Sequence, residues 1–319
     1  MKQPEIGRRS KPPYKYTYQS GVLKKRSMLP ITLYVLFVSL PMAVAIFIAS
    51  LQVHSAQPLK TSKNLASTTK IDYAANQPQL NAPPASLTDQ DSGLQAIINQ
   101  FVASHTDHQW SVLAQGLGSD ERSASYNARQ NIESASIYKL FLMYPLMQKT
   151  PISQWGQVNV DLLGSNATLA DCVTAMLKVS DNDCGQAVGN YVGWGYATTQ
   201  LKSIGLEATN LNDLDGPTTT AGDTAYFLQG LYAGKWFDGA TRNFILNILD
   251  QQIYRSGIPT GCGQGCNVAD KTGNLDSVRH DAGIVRYNRG AYVLSIFTNG
   301  ASYAQIAQLT GRIQAYMAN

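Results

Sequence analysis

Residues 133–149 read ESASIYKLFLMYPLMQK, and this stretch decides how the rest of the chain is interpreted. It is apolar on most sides, which predicts a helix buried inside a domain. Near its start stands the tetrad Ser136-Ile137-Tyr138-Lys139. Positions three apart share one face of a helix, so the hydroxyl of Ser136 and the amine of Lys139 can meet. Because burial lowers the pKa of an amine, Lys139 is a candidate base for a Ser136 nucleophile.

Two further polar motifs follow this tetrad along the chain. Ser180-Asp181-Asn182 ends a predicted helix, Thr168–Val179, and Lys271-Thr272-Gly273 follows the strand-like run Asn267–Asp270. Each motif alone has a simple structural interpretation, as a helix end or a turn. The tetrad pattern also occurs by chance, at Ser67-Thr68-Thr69-Lys70. All three motifs in this order make a shared active site the better interpretation.

The order of the predicted elements defines the fold class. An amphipathic helix begins near Ser92, two strands and a helix-rich middle follow, and the chain ends with strands and a helix. This order predicts an α+β domain, within the broad α/β class, whose antiparallel sheet is covered by the two terminal helices and carries an inserted all-helical lobe. A cleft is expected where the lobe meets the sheet. The predicted strands and last helix are Trp110–Leu117, Arg122–Ala128, Asp281–Tyr287, Ala291–Asn299 and Ala304–Met317.

The motifs S-x-x-K, S-D-N and K-T-G, in this order, resemble those of the class A β-lactamases and related penicillin-recognising serine enzymes. The resemblance extends over residues 92–319 and includes the segments ESASIYKL, MLKVSDNDCG and VADKTG. It implies the β-lactamase-like fold and an acyl-enzyme formed on Ser136 by a β-lactam or a D-Ala-D-Ala-like peptide. It implies no cofactor and no metal.

The resemblance also implies a role for each residue of the first two motifs. Ser136 attacks the substrate carbonyl, and Lys139 accepts its proton. Ser180 passes a proton to the departing nitrogen, which is a general-acid step. Asn182 binds the side-chain amide of the substrate and contacts Lys139, whereas Asp181 holds the turn together.

The third motif is implied to bind the substrate. Lys271 supplies a positive charge, and Thr272 a hydroxyl, for the substrate carboxylate. Gly273 allows the backbone to approach closely. The backbone N–H groups of Ser136 and Asn274 would form the oxyanion hole, in which each donor typically contributes about 3–4 kcal/mol.

One element of the class A pattern is missing. Those enzymes carry a glutamate in a loop after the S-D-N motif, and this glutamate activates the water that releases the acyl group. The matching segment here, LNDLDGP at residues 211–217, is short and lacks a glutamate, and Glu207 precedes it. Asp215 lies nearest to the missing position and is the candidate deacylation base, although Gly216 and Pro217 indicate a tight turn. Slow hydrolysis of the acyl-enzyme is therefore expected.

Three functions remain open on the sequence alone. The first is β-lactam hydrolysis. The second is that of a D,D-peptidase or other penicillin-binding cell-wall enzyme, which β-lactams acylate and which releases them slowly. The third is a non-catalytic binding or sensory domain of the same fold, against which the three intact motifs argue. The family resemblance favours the first function, and the short loop favours slow turnover.

The N-terminal region is expected to anchor the domain in the cell membrane. Residues 1–27 carry eight basic and one acidic side chain, and residues 28–51 contain no charge. About 20 apolar residues cross a bilayer as a helix, and basic residues before it keep that end in the cytoplasm. The sequence thus predicts a cytoplasmic tail (1–27), a transmembrane anchor (28–51), a flexible stalk (52–90) and an extracytoplasmic domain (91–319). A cleaved signal peptide is the alternative, but its apolar region would usually be about 7–15 residues.

The distribution of charge excludes nucleic acid as a partner. The chain carries +4 overall. The tail contributes +7, from eight basic residues and one acidic residue, which leaves −3 on all other residues. A weakly acidic body is a poor match for a phosphate backbone. The oligomeric state stays open.

Four cysteines, all in the C-terminal half, agree with export of the domain. An even number suggests disulfides in an oxidising compartment. Pairing Cys172 with Cys184 and Cys262 with Cys266 is the simplest of three connectivities. A four-cysteine zinc site is the alternative, but the spacings fit no zinc pattern well. The four histidines show no metal-binding spacing, and a surface or capping role is favoured for His280.

Overall fold

The computed structural model describes residues 90–162 and 165–319. The predicted cytoplasmic tail, membrane anchor and flexible stalk lie outside these residues, apart from residue 90 at the end of the stalk. Among the described residues, none of the helices combines the length and the apolar character needed to cross a membrane.

The described domain has the predicted order of elements: a helix and two strands, a helical region, three long strands and a last helix. The helices are α1 (Ser92–Ala103), α2 (Tyr138–Phe141), α3 (Met143–Lys149), α4 (Leu169–Lys178), α5 (Asn182–Val192), α6 (Trp194–Ser203), α7 (Ala221–Ala233), α8 (Gly239–Asp250), α9 (Ile258–Cys262) and α10 (Tyr303–Met317). The strands are β1 (Gln109–Gly116), β2 (Ser123–Tyr126), β3 (Ile132–Glu133), β4 (Asn159–Leu162), β5 (Ser165–Thr168), β6 (Thr218–Thr219), β7 (Asn267–Leu275), β8 (Val278–Tyr287) and β9 (Gly290–Asn299).

Five strands form one antiparallel sheet in the order β2-β1-β9-β8-β7. The chain between β2 and β7 contains the helical region, so the lobe is inserted between the two edge strands, as the sequence predicted. The strand that carries the K-T-G motif, β7, lies at one edge of this sheet among the described residues. One side of β7 is therefore available for contacts with the lobe and with a substrate.

Two hydrophobic cores lie on opposite faces of the sheet, because successive side chains of a strand point to opposite faces. In β9, Tyr292, Leu294 and Ile296 are buried in the core that includes α1 and α10. Val293 and Phe297 are buried in the core that includes the helical lobe. The terminal helices cover one face and the lobe covers the other, which confirms the predicted layers.

Polar side chains cap the helices where the sequence predicted helix starts. Thr168 Oγ1 accepts the N–H of Asp171 at 3.1 Å, at the beginning of α4. Ser302 and Gln305 form a capping box at the beginning of α10. Such caps stabilise a helix by about 1 kcal/mol each. They also fix the residue at which each helix starts.

The predicted helix at residues 133–149 is interrupted in the structure. Glu133 belongs to β3, a 3₁₀ turn covers Ala135–Ile137, and two short helices, α2 and α3, follow. The break between these helices has a local cause. Pro145 has no N–H to donate to the carbonyl of Phe141, four residues before it. The stretch is largely buried, as predicted, but it is a strand end, a turn and two short helices.

Candidate active site

Ser136 and Lys139 lie side by side at the start of this helical segment, as their spacing predicted. Nζ of Lys139 is 3.1 Å from Oγ of Ser136. The serine is half-buried and the lysine is fully buried. The same amine donates to the main-chain oxygen of Ser180 at 2.6 Å and to Oδ1 of Asn182 at 2.7 Å. The first two motifs therefore meet at one amine.

The surroundings of Lys139 suit a base. Burial lowers the pKa of Lys139 to about 8, and the charge of Asp181 opposes this shift only in part. A neutral amine has two N–H groups and one lone pair. When the N–H groups donate to Ser180 and Asn182, the lone pair faces the Ser136 hydroxyl and can accept its proton.

Ser180 belongs to the turn between α4 and α5. Its φ is +59°, in the left-handed region that costs a non-glycine residue about 1–3 kcal/mol. Asp181 accepts the N–H of Cys184 at 2.8 Å and caps α5, which agrees with its implied role in the turn. A disulfide between Cys172 on α4 and Cys184 on α5 spans the same turn. The Asp181 cap and the disulfide therefore both stabilise the turn that contains Ser180.

Lys271 brings the third motif to the same point. It is fully buried in β7, and its Nζ donates to Oγ of Ser180 at 2.9 Å and to the main-chain oxygen of Thr272 at 2.8 Å. Nζ of Lys139 is 3.5 Å from the same Oγ, so two lysines flank one hydroxyl. Burial, and then the charge of Lys139, lower the pKa of Lys271 to about 7. Since Lys271 donates to the hydroxyl oxygen, the hydroxyl proton can point towards a departing nitrogen.

Strand β7, which carries the K-T-G motif, packs closely against the 3₁₀ turn Ala135–Ile137. A Cβ at Gly273 would lie 3.2 Å from Cβ of Ala135 and 3.2 Å from Cβ of His280, so only glycine allows this approach without displacement. His280 is fully buried, and the expected surface or capping role was wrong. Its Nδ1 accepts the N–H of Thr298, which leaves Nε2–H to donate to the main-chain oxygen of Glu133 at 2.8 Å. His280 thereby joins β8 to β3, the strand just before Ser136.

The remaining substrate-binding residues continue the same edge strand. Thr272 is buried beside Lys271, and Asn274 is exposed near the end of β7. Hydrogen bonds join five of the predicted residues directly, namely Ser136, Lys139, Ser180, Asn182 and Lys271. The site lies between the lobe and the sheet edge, where the cleft was predicted.

Asp215 does not belong to this cluster. It is exposed, and in residues 90–162 and 165–319 no hydrogen bond joins its carboxylate to Ser136 or Lys139. Its N–H donates to Oδ1 of Asp213 at 3.2 Å, within the tight turn that the sequence indicated. The end of the loop is held beside the S-x-x-K tetrad, since the Pro217 oxygen accepts the N–H of Ser134 at 2.8 Å. The role of Asp215 as deacylation base stays a prediction, which the exposure of its side chain does not favour.

A buried pair of carboxyl groups beside the third motif was not evident from the sequence. Asp270 accepts hydrogen bonds from Arg255 at 2.6 Å and from Gln252 at 2.7 Å. Asp281 accepts the N–H of Ile258 through Oδ2 at 2.7 Å, and its side chain is also within hydrogen-bonding distance of the Asp270 carboxyl group. Burial raises the pKa of both carboxyl groups, and that of Asp281 reaches about 7. In the sequence, only the position of each aspartate within a largely apolar strand pointed to this pair.

Two disulfides form with the simplest predicted pairing. Cys172–Cys184 lies in the lobe core, and Cys262–Cys266 belongs to the core on the other face of the sheet. All four cysteines therefore form disulfides, in two separate parts of the domain. The alternative of a four-cysteine zinc site was wrong, because the sulfur atoms do not converge.

Comparison with solved structures gives the same fold. PBP-A is 20% identical to this chain, with a TM-score of 0.64 over 73% of this chain and 99% of PBP-A. A β-lactamase from Desulfarculus baarsii is 19% identical, with a TM-score of 0.65 over 71% of this chain and 98% of that enzyme. A β-lactamase from Sphaerobacter thermophilus is 21% identical, with a TM-score of 0.59 over 71% and 95%. Comparison with curated protein sequences found no match.

Fold and family model together define the class, a serine hydrolase of the β-lactamase type, and in this chain a buried lysine lies beside a serine. The model of the Beta-lactamase enzyme family matches residues 150–317, which is more than half of the chain. The chain belongs to this family. The matched range contains the S-D-N and K-T-G motifs, and Ser136 just precedes it.

Proposed function

We propose that the protein is acylated at Ser136 by β-lactams and by D-Ala-D-Ala-like peptides, and that it releases the acyl group slowly. The observation that carries this proposal is the buried Lys139 amine, 3.1 Å from the Ser136 hydroxyl and hydrogen-bonded to the S-D-N turn. One of the similar structures, a PBP-A variant, is an acyl-enzyme complex with penicillin G, and this supports the choice of substrate.

The contacts of the site suggest how acylation proceeds. Oγ of Ser136 attacks the lactam carbonyl carbon while Lys139 takes the hydroxyl proton. The N–H groups of Ser136 and Asn274 stabilise the negative charge that develops on the carbonyl oxygen. The carbon–nitrogen bond then breaks, and the nitrogen takes the proton of Ser180, which regains one from Lys139, the amine that took the Ser136 proton.

Release of the acyl group needs a base that activates water. Asp215 is exposed, and among the described residues no hydrogen bond joins its carboxylate to Ser136 or Lys139. A missing general base typically lowers a rate by about 10²–10⁴-fold. This feature favours a D,D-peptidase or penicillin-binding function as the second candidate, with β-lactam hydrolysis as a slow side reaction.

A chromogenic β-lactam tests this proposal. We expect a burst of about one product per protein molecule, followed by a much slower steady rate, because acylation outruns release. Ser136→Ala must abolish the burst. Fast, burst-free turnover would contradict slow release, and Asp215→Asn would then show whether Asp215 is the base. If neither burst nor turnover occurs, both enzymatic functions are wrong and the binding or sensory domain becomes the better hypothesis.

We also propose that residues 28–51 hold the protein in the cell membrane, with the catalytic domain outside the cytoplasm. Cell-wall peptides and β-lactams would reach the domain there. The two disulfides support this location, because such bonds persist in oxidising compartments.

A further inference from the structure

The peptide group between Gly273 and Asn274 has a hydrogen-bond partner from a distant part of the chain. The hydroxyl of Tyr303 donates to the Gly273 carbonyl oxygen at 2.8 Å. Tyr303 is the first residue of α10, and the capping box of Ser302 and Gln305 fixes where this helix starts. We propose that Tyr303 is a positioning residue for the oxyanion hole. This role rests on the proposed acylation of Ser136.

The geometry of the peptide bond connects Tyr303 to the substrate. No peptide bond is cis in the part of the chain that the structure describes, so the Gly273 C=O and the Asn274 N–H point in opposite directions. A hydrogen bond that holds the carbonyl therefore also fixes the direction of the N–H. The strand is an edge strand, and Ala135, next to the nucleophile, lies within contact distance of Gly273. Tyr303 thus acts from behind the strand on the donor proposed for the oxyanion.

The same hydrogen bond changes the strength of that donor. An amide whose oxygen accepts a hydrogen bond is polarised, and its N–H becomes a better donor in turn. The chain of bonds would run from the Tyr303 hydroxyl through the Gly273–Asn274 peptide to the carbonyl oxygen of the substrate. Its benefit grows as negative charge develops on that oxygen, so it accelerates acylation more than it tightens substrate binding.

Tyr303 keeps its proton under working conditions. Burial raises the pKa of Tyr303 well above its usual value, and the charge of Asp281 acts in the same direction. The hydroxyl therefore stays a donor over the whole range in which Lys139 and Lys271 titrate, with pKa values of about 8 and 7.

The test compares Tyr303→Phe with a matched control, Tyr287→Phe. Tyr287 packs against the same core as Tyr303 and also donates its hydroxyl to a main-chain oxygen, but this oxygen belongs to Met317, at the far end of α10 from Tyr303, at 2.9 Å. Each variant loses one hydroxyl and its hydrogen bond to a main-chain oxygen; the hydroxyl of Tyr303 also contacts the side chain of Thr272, and that of Tyr287 contacts Arg122. Two readouts are used: the acylation rate constant, and the infrared carbonyl frequency of the acyl-enzyme formed with a β-lactam labelled with ¹³C at its lactam carbonyl.

We expect Tyr303→Phe to acylate about three- to tenfold more slowly, which is less than the loss of a direct oxyanion donor. Its acyl carbonyl should absorb at a higher frequency, because a weaker oxyanion hole polarises the carbonyl less. Tyr287→Phe should change neither value. A fluorinated tyrosine at position 303, which is a stronger donor of nearly the same shape, should shift the frequency in the opposite direction and covers the case in which Tyr303→Phe does not fold.

Two outcomes would overturn the inference. The first is an unchanged carbonyl frequency in both the phenylalanine and the fluorotyrosine proteins. The second is an equal loss of rate in Tyr303→Phe and Tyr287→Phe, which would indicate a purely structural role. If the unmodified protein forms no adduct on Ser136, the proposed function fails first and the role of Tyr303 fails with it, so the two failures are distinguishable.

Discussion

At the scale of single residues, the proposed acylation depends on whether Lys139 carries a proton. The amine must be neutral to accept the Ser136 proton, and its pKa is lowered to about 8 by burial. We therefore expect the acylation rate constant to rise with pH through a midpoint near 8. It should be measured by stopped flow at saturating substrate, so that the bound carboxylate keeps Lys271 charged.

Lys139→Arg is the matching variant for this pH profile. It retains a positive charge but cannot lose its proton near neutral pH. The rate should fall by about 10²–10⁴-fold, which is the usual contribution of a general base. A rate that stays independent of pH between about 6 and 9, or an arginine variant that acylates normally, would contradict Lys139 as the base.

Asp281 should give the stability of the domain a distinct pH dependence. Burial raises the pKa of Asp281 from 3.8 to about 7. A raised carboxyl pKa contributes stability that is complete below the unfolded value and is lost as the pH rises through the folded value. Asp281→Asn removes this titration and can still accept the N–H of Ile258, which Oδ2 accepts now.

We expect the variant to gain stability relative to the unmodified protein between about pH 4 and pH 7. Urea unfolding of both proteins at several pH values measures this difference, which includes the response of Asp270, because the charge of Asp281 raises the pKa of Asp270. A difference in unfolding free energy that is the same at all pH values would show that Asp281 does not hold a proton in the folded state.

At the scale of elements, we expect the turn that carries the S-D-N motif to depend on a disulfide bond. Cys172–Cys184 joins α4 to α5 across Ser180, whose φ of +59° is unfavourable for a serine. Replacing both cysteines by alanine should cost about 3 kcal/mol of unfolding free energy, since a loop of this length is released. The acylation rate should also fall, because Ser180 and Asn182 would leave their positions around Lys139.

The second disulfide provides the control for this prediction. Replacing Cys262 and Cys266 by alanine removes a shorter link, outside the turn that carries Ser180. We expect a smaller loss of stability and an unchanged acylation rate, measured by denaturant unfolding and by stopped flow. Equal acylation rates for both double variants would rule out a special role of the first disulfide.

Some of these elements and contacts could be predicted from the sequence, and others could not. The spacing of the S-x-x-K motif predicted the contact between Ser136 and Lys139, and the predicted helix Thr168–Val179 begins at the residue that caps α4 in the structure. His280 and Tyr303 were assigned no role in the site, because each acts through a main-chain oxygen that is remote in sequence. The interruption of the helix at residues 133–149 has a local signal, Pro145, but the apolar pattern around it outweighed that signal.

At the scale of the whole molecule, the described domain contains the candidate active site, whereas the predicted membrane anchor lies outside the described residues. If residues 28–51 form an uncleaved anchor, the full chain should remain with membranes after a high-salt wash, and its N-terminus should be intact by mass. A protein that begins near residue 56 would instead indicate a cleaved signal peptide. Cell fractionation with mass analysis distinguishes the two.

The fold as a whole brings the helical lobe, the edge strand β7 and the turn Ala135–Ile137 together around the Ser136 hydroxyl. The most direct test is the intact mass of the protein over time with penicillin G, followed by peptide mapping. We predict that the protein gains the mass of one penicillin, that the adduct maps to Ser136, and that it persists long after acylation is complete. The absence of any adduct, or an adduct that also forms on Ser136→Ala, would contradict the assignment of Ser136 as the nucleophile.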